Sequence, residues 1–315
     1  MTAERDAPLR YFTTLKAGGT ADRLVRARDI DGLATTAIEC HTLDEPLMIL
    51  GWGSNVLPSD AGVRGTVTLN GASAIEVQEE RIVADSGAGY QDLWLAAAQA
   101  GLTGLEFAVG IPGSIGGALV SNAGAYRSDI SRLAIRIEVV EAGVRKWVEP
   151  EWMGFRYRDS RFRQSHLPPA VILRVELRLA PGDPKAIYDA AREWQRQRIS
   201  KQPPSASAGS FFKNVVDREL AERIEGLTPG MRESGVIPAG FLIEACGLKG
   251  QRLGGAMIGA RHANFLLNVG GATATELRSL AHHARARVRE RFGVEVEEEV
   301  LYVGDWSGFV PLGLA

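Results

Sequence analysis

The sequence predicts an α+β protein of more than one domain. Three observations carry this. The chain has 315 residues, too many for one ordinary domain and enough for two or three. Strand and helix patterns mix without the strict βαβ order of a doubly wound sheet. A Pro/Ser/Ala-rich stretch over residues 201–209 reads as a linker.

The elements follow in order. Residues 24–27 read as a short strand, and Asp31 as the cap of a helix running to Cys40. Leu47–Leu50 is a short buried strand, and 66–69 is a β-branched one. Residues 74–77 and 81–84 pair as a hairpin. Residues 90–100 form a helix with Leu93, Ala97 and Ala100 on one face, ended by Gly101. Strands follow at 133–141 and 170–179. The second alternates Val171, Leu173, Val175 and Leu177 against Arg174, Glu176 and Arg178, as a half-buried strand does. Asp183-Pro184 opens a helix to about Ser200. Beyond the linker, a helix runs from Ile237-Pro238 to Cys246 and stops at Gly247. Strands are expected at 253–258 and 264–268. Thr273 and Glu276 form a capping box that opens a helix to about Phe292. A final strand covers 295–303, so Glu297 and Glu299 share a face and Glu298 points away.

Composition excludes several classes. Lys plus Arg is 36 and Asp plus Glu is 38, a formal charge of −2, without the basic excess of a nucleic-acid binder. Two cysteines, Cys40 and Cys246, rule out a disulfide framework and a four-thiolate zinc site; both read as small buried hydrophobes. No apolar run reaches the roughly 18 residues of a membrane span. Residues 1–10 are charged and lack the apolar core of a secretory signal, so a cytoplasmic location is expected. The five histidines avoid the glycine loops, and no metal site is expected.

Chemistry concentrates in glycine-rich and mixed polar segments. Gly51-Trp-Gly-Ser-Asn55 follows a buried strand; its glycines allow N–H groups to converge on one anion, though the segment alone also fits a tight turn without ligand. Gly110-Ile-Pro-Gly-Ser-Ile-Gly-Gly-Ala118 is neither a dinucleotide fingerprint nor a P-loop. A helix starting at Ser114 would aim free N–H groups at a diphosphate; close backbone packing is the other reading. Arg158 can fork onto a carboxylate or phosphate, or stand as a solvated arginine. Gly209 to Asn214 sets a hydroxyl, an ammonium and an amide around two phenylalanines, or is simply a strand with alternating faces.

In combination these segments closely resemble the UDP-N-acetylenolpyruvoylglucosamine reductase (MurB) family, in the family's order from about Tyr11 to Gly304. The pieces are Gly-x-Gly-Ser-Asn at 51–55, Gly-Ile-Pro-Gly-Ser-Ile-Gly-Gly at 110–117, Asn-Ala-Gly-Ala-Tyr at 122–126 and Tyr-Arg-x-Ser at 157–160. Ala-Gly-Ser-Phe-Phe-Lys-Asn at 208–214, Ile-Pro-Ala-Gly-Phe-Leu-Ile-Glu at 237–244, His-Ala-Asn-Phe at 262–265 and Glu-Glu-Glu-Val at 297–300 complete the set.

The resemblance implies a two-subdomain FAD-binding module of the PCMH/vanillyl-alcohol-oxidase type plus a C-terminal α+β substrate-binding domain. Its boundaries would be 1–70, 71–200 and 201–300, with 301–315 packing back on the first subdomain. It implies non-covalent FAD, reduced by NADPH, and flavin N5 hydride transfer to the enolpyruvyl ether of UDP-N-acetylglucosamine in peptidoglycan precursor synthesis. Ser210 matches the proton donor, and Arg158 and Glu299 the pair that stabilises the enolic intermediate. A fixed guanidinium would stabilise charge as it develops, and a buried, protonated Glu299 could donate a hydrogen bond. Gly51, Gly53, Ser54, Asn55, Gly113, Ser114, Gly116, Gly117, Asn122, Gly124, Ala125, Tyr126 and Tyr157 match cofactor-binding positions. Lys213 and Asn214 are expected at the substrate.

The expected partner is that small molecule, with no nucleic acid, no membrane and a monomeric state. The short interval from Arg158 to Ser210 resembles the subgroup lacking an inserted substrate-covering loop. Val215 and Glu298 stand where the family has proline, which predicts a looser backbone beside Ser210 and Glu299. Arg127 and Arg156 stand where glycine is frequent; a left-handed Arg127 would cost about 1 kcal/mol or more. Two further readings stay open on the residues: another FAD-dependent oxidoreductase of the same fold, and a nucleotide-sugar binding protein without turnover.

Overall fold

The computed structural model describes residues 3–164, 166–200 and 202–314. Lys201, the first residue of the expected linker, lies outside them. The chain divides into two compact units. One comprises Met1–Ala7, Ala21–Gly53 and Val63–Ser200; the other comprises Pro8–Thr20, Ser54–Gly62 and Lys201–Ala315.

In the first unit, Thr20–Ala27, Val63–Asn70 and Leu47–Leu50 lie side by side as parallel strands. Helix α1 (Ile30–Thr42) links the first to the last of these in sequence. Its cap is Asp29, whose carboxylate accepts from the Gly32 N–H at 2.8 Å, not the expected Asp31. Asp31 sits in the first turn, where its carboxylate pairs with Arg145 at 2.6 Å. Cys40 is buried and Cys246 only partly so; neither is in a disulfide.

A second, antiparallel sheet runs in the order Val144–Val148, Ala134–Glu141, Ala170–Arg178, Arg81–Asp85, Ile75–Gln78. Helices α2 (Tyr90–Gln99) and α3 (Ile115–Val120) pack on one of its faces, and α4 (Pro184–Ile199) follows it in the chain. The central strand corrects the sequence reading. Glu138 faces Arg174, but the next residue, Val139, faces Ile172, so Leu173 is an extra residue in a β-bulge. The bulge exchanges the two faces. Val171 and Leu173 pack with Leu33, Ala34 and Ala37 of α1, whereas Ile172, Val175 and Leu177 pack with α2 and α3. Glu176, expected on an open face, is buried between Arg81 at 2.7 Å and Arg136 at 2.5 Å. Glu138 is held likewise by Arg145 and Arg174.

In the second unit the strands order as Ala206–Ser210, Phe265–Asn268, Ala256–Ile258, Arg252–Leu253. Helices α5 (Arg218–Arg223), α6 (Pro229–Ser234), α7 (Ala239–Ala245) and α8 (Ala274–Phe292) accompany them. Part of the expected linker is thus a strand. The expected strand at 253–258 is a hairpin, because Leu253 pairs with Ala256 across Gly254-Gly255. Gly254 has φ +55°, and a β-carbon there would stand 1.9 Å from the Glu276 carboxylate. The Thr273/Glu276 capping box is present, and the Asp60 carboxylate accepts from the N–H groups of Ala274 and Thr275. The expected strand at 295–303 is regular only over Leu301–Val303, which runs parallel to Val56–Pro58.

The buried Glu176 gives a test of the first unit. Burial pushes its carboxyl up, but the bonds from Arg81 and Arg136 outweigh this and hold it below its ordinary 4.5. A depressed folded value stabilises above the unfolded one and is lost as pH falls through it. Glu176→Gln should cost about 2 kcal/mol at pH 7, less than a fully buried pair because both arginines are half exposed. Urea unfolding at pH 7 and below about pH 4 measures this; the gap to wild type should shrink in acid.

Candidate active site

The two glycine loops meet in the first unit. The strand Leu47–Leu50 ends at Gly51, where an added β-carbon would stand 2.2 Å from Ser114 Oγ. Gly53 and Gly113 take φ +62° and +131°, conformations that favour glycine, the second more strongly than the first. Trp52 lies over Gly89, the cap position of α2, where a β-carbon would strike its ring at 2.8 Å. Helix α3 does start after Ser114, whose hydroxyl accepts from the Gly117 N–H at 3.3 Å. The expected row of free N–H groups is corrected, however. Ile115 donates to Ala88 O, and Gly116 to Ser86 O. What the loops offer is bare backbone in close apposition, with no carboxylate in 51–55 or 110–117. A carboxylate-free, glycine-rich surface of this kind is compatible with the diphosphate of a dinucleotide such as FAD, which acidic groups would repel.

The segment 122–126 folds as a hairpin. Gly124 pairs with Asp129 and Ala125 with Ser128, so Tyr126 and Arg127 form its two-residue turn. Their φ values of +53° and +64° are those of a type I′ turn, normally filled by Asn or Gly. The Tyr126 ring stacks on Trp194 at 4.5 Å and its hydroxyl donates to the Trp194 carbonyl. That interaction holds the hairpin against α4. Arg158 also takes a left-handed φ, +52°, in a turn closed by mutual backbone bonds between Arg156 and Asp159. Its guanidinium donates to the carbonyls of Asn122 and Gly124 and lies 5.3 Å from the exposed Tyr157 ring.

Ser210 and Glu299 come together in the second unit. Ser210 pairs with Phe265 just after a register shift that follows Ser207, and Gly209 beside it has φ +77°. Phe211 and Phe212 do not alternate: both are fully buried. Asn264 explains this. Its side-chain carbonyl accepts from the Phe212 N–H and its amide donates to the Phe212 carbonyl, each at 2.9 Å. Its backbone carbonyl accepts from Phe211 N–H at 2.7 Å. The Phe211 carbonyl in turn accepts from Glu299 N–H at 2.8 Å, and Lys213 N–H donates to the Glu297 carbonyl at 2.8 Å. Asn55 Nδ2 donates to the Glu299 carbonyl. Ser210 and Glu299 therefore sit on adjoining extended segments in fixed register.

Lys213 and Asn214, expected at the substrate, have protein partners. Buried Lys213 pairs with Glu297 at 2.5 Å, and Asn214 Oδ1 accepts from the Ala239 N–H that opens α7. Val215 pairs with Ile237, and Glu298 pairs with Arg285 at 3.2 Å. Sequence reasoning quoted Asn264 within a motif but gave it no role; the motif was the only signal. Among the described residues, no three His, Cys, Asp or Glu side chains gather to hold a metal, and no helix is long and apolar enough to cross a membrane.

The loop apposition is testable. Gly51→Ala should cost about 1–3 kcal/mol through overpacking against Ser114. Ser114→Gly costs only a few tenths as a cap change. The double variant should therefore recover most of the loss in thermal unfolding; no recovery would mean the two loops do not press on each other.

Comparison with known proteins agrees with this geometry. Residues 21–143 match the FAD binding domain family, and 201–303 match the UDP-N-acetylenolpyruvoylglucosamine reductase C-terminal domain. The UDP-N-acetylenolpyruvoylglucosamine reductase of Rubrobacter xylanophilus is 39% identical over 305 residues, covering 96% of each chain. The Bacillus subtilis enzyme of that name is 34% identical over 301 residues, 94% of this chain and 92% of its own. The crystal structure of MurB from Thermus caldophilus superposes with a TM-score of 0.76 at 32% identity, covering 96% of this chain and 98% of that one. Likeness on this scale spans both glycine loops, the Arg158 turn and the Ser210 and Glu299 segments alike, so the α+β FAD-binding expectation holds and the chain belongs to the UDP-N-acetylenolpyruvoylglucosamine reductase family.

Proposed function

We propose that this protein is a UDP-N-acetylmuramate dehydrogenase, which reduces the enolpyruvyl ether of UDP-N-acetylglucosamine to the lactyl ether of UDP-N-acetylmuramate. FAD is its cofactor and NADPH its reductant. FAD, when bound, would supply two-electron reduction with NADPH as the source. The loops 51–55 and 113–117 would hold its diphosphate, and Tyr157 is the residue assigned to its ring system. Residues 1–70 and 71–200 form the FAD-binding subdomains, 201–300 the substrate domain, and 301–315 returns to the first. A monomer in the cytoplasm, where NADPH and nucleotide sugars are available, completes the reading.

The residues divide the remaining work. Addition of hydride to the outer carbon leaves negative charge on the α-carbon and its carboxylate. The Arg158 guanidinium binds that carboxylate and stabilises the charge as it grows. Glu299 hydrogen-bonds the enolic group. Ser210 donates its hydroxyl proton to the α-carbon. A hydroxyl is a weak acid, so this step relies on a strongly basic carbanion held close. The observation that carries the reading is the Phe211 carbonyl to Glu299 N–H bond, which fixes the proton donor's segment and the carboxyl's segment in one register. Lys213 and Asn214 shape the substrate end from their bonded positions.

Purified protein reconstituted with FAD should oxidise NADPH beyond the one equivalent that reduces the flavin only when the enolpyruvyl UDP-sugar is present. Mass spectrometry should find a product two hydrogens heavier. A protein that binds no FAD, or that leaves this substrate unchanged, would contradict the assignment. Glu299→Gln should keep FAD absorbance and slow turnover by roughly 100-fold or more.

A further inference from the structure

We propose that Asn122 is a positioning residue for Arg158 rather than a ligand of the cofactor; the inference rests on the reading of Arg158 given above. Asn122 belongs to the glycine-rich segment, but its side chain is 4% exposed and both ends of its amide are engaged by protein. Nδ2 donates to the Arg156 carbonyl at 3.0 Å, and Oδ1 accepts from the Ser131 N–H at 3.3 Å. Turning the amide toward a diphosphate would break one or both of these bonds.

What the amide grips is the turn that carries Arg158. Arg156 is the first residue of that turn, and its carbonyl also accepts from the Asp159 N–H at 3.2 Å. Arg158 returns the contact, since its guanidinium donates to the Asn122 backbone carbonyl at 3.2 Å. The two residues thus hold each other, and both take left-handed backbones, φ +41° and +52°. Two strained residues facing each other persist only where the surroundings over-determine them. Asn suits position 122 because its short amide tolerates that conformation and bonds locally. Beyond the turn, Ser160, fully buried, donates to the Val120 carbonyl at 2.7 Å and anchors the far end to α3. The turn is therefore pinned at 156 and at 160, and Asn122 supplies the first pin. Loss of that pin lets the guanidinium wander from the substrate carboxylate, and a shift of about 1 Å in a positioned group can cost on the order of 100-fold.

Asn122→Gly keeps the left-handed backbone and removes the amide; Asn122→Ala removes the amide, adds no charge and keeps a β-carbon at that position. Each should leave FAD affinity, read by quenching of flavin fluorescence, within about threefold of wild type, and lower kcat/KM for the enolpyruvyl UDP-sugar about 10- to 100-fold. In an Arg158→Ala background the same substitutions should add less than about threefold, as expected for residues acting as one unit. A tenfold loss of FAD affinity, or an equal loss of turnover in both backgrounds, would overturn the proposal. If Arg158→Ala lowers turnover while both Asn122 variants match wild type, this inference alone fails. Wild-type turnover in Arg158→Ala would remove the reading of Arg158 on which it stands.

Discussion

The second unit depends on one side chain. Asn264 closes a two-bond ring on the Phe212 backbone from within the core, and its own carbonyl takes the N–H of Phe211. Each such bond contributes about 1 kcal/mol net, but an unpaired buried amide would cost about 1–3 kcal/mol per group. The constraint is therefore more important than the gain. It forces Phe211 and Phe212 both inward, where burial of each contributes roughly 1.5–3 kcal/mol. With both rings inside, the Phe211 carbonyl is placed to receive Glu299, and Ser210 stands at the end of its strand. The segments that carry Ser210 and Glu299 are thus built on an aromatic core.

The first unit works by a different constraint, the closeness of backbones. Gly51 against Ser114 and Gly116 against Ser86 leave no space for a β-carbon. Close packing and anion binding are competing readings of these glycines, and the structure shows the close packing. The N–H groups of Ile115, Gly116 and Gly117 satisfy protein acceptors, while the loop surfaces stay free of carboxylates. Around them, Asn122, Tyr126, Arg127 and Arg158 hold left-handed backbones without being glycine. Specific ties accompany three of the four: a stacked Trp194 for Tyr126, and the mutual bonds of Asn122 with the turn that carries Arg158. These left-handed residues gather around the Arg158 guanidinium.

Local signals in the sequence were legible where one residue type has one physical use. The Thr273/Glu276 capping box, the Asp183-Pro184 helix start and the Gly101 stop all stand as read. Non-local features were not. A bulge at Leu173 leaves no mark on periodicity, because it depends on the partner strand Ala134–Glu141. Gly254-Gly255 was absorbed into a strand although a two-glycine step between apolar residues is a hairpin signal. The run 295–303 reads as strand from its alternation, yet its partners at 211–213 are short and 297–299 pairs only locally. The family was legible through the order of motifs. What each residue touches was not: an amide such as that of Asn122, Asn214 or Asn264 serves ligand or backbone equally well on paper, and only the fold decides.

The most direct test of the account is single-turnover absorbance spectroscopy on wild type and Ser210→Ala. NADPH is added anaerobically, then the enolpyruvyl UDP-sugar. Both proteins should lose their flavin colour with NADPH. Only wild type should regain it quickly and yield UDP-N-acetylmuramate, with Ser210→Ala slower by about 100- to 10,000-fold. Recovery of colour in Ser210→Ala at the wild-type rate, or no response of wild type to that substrate, would contradict it.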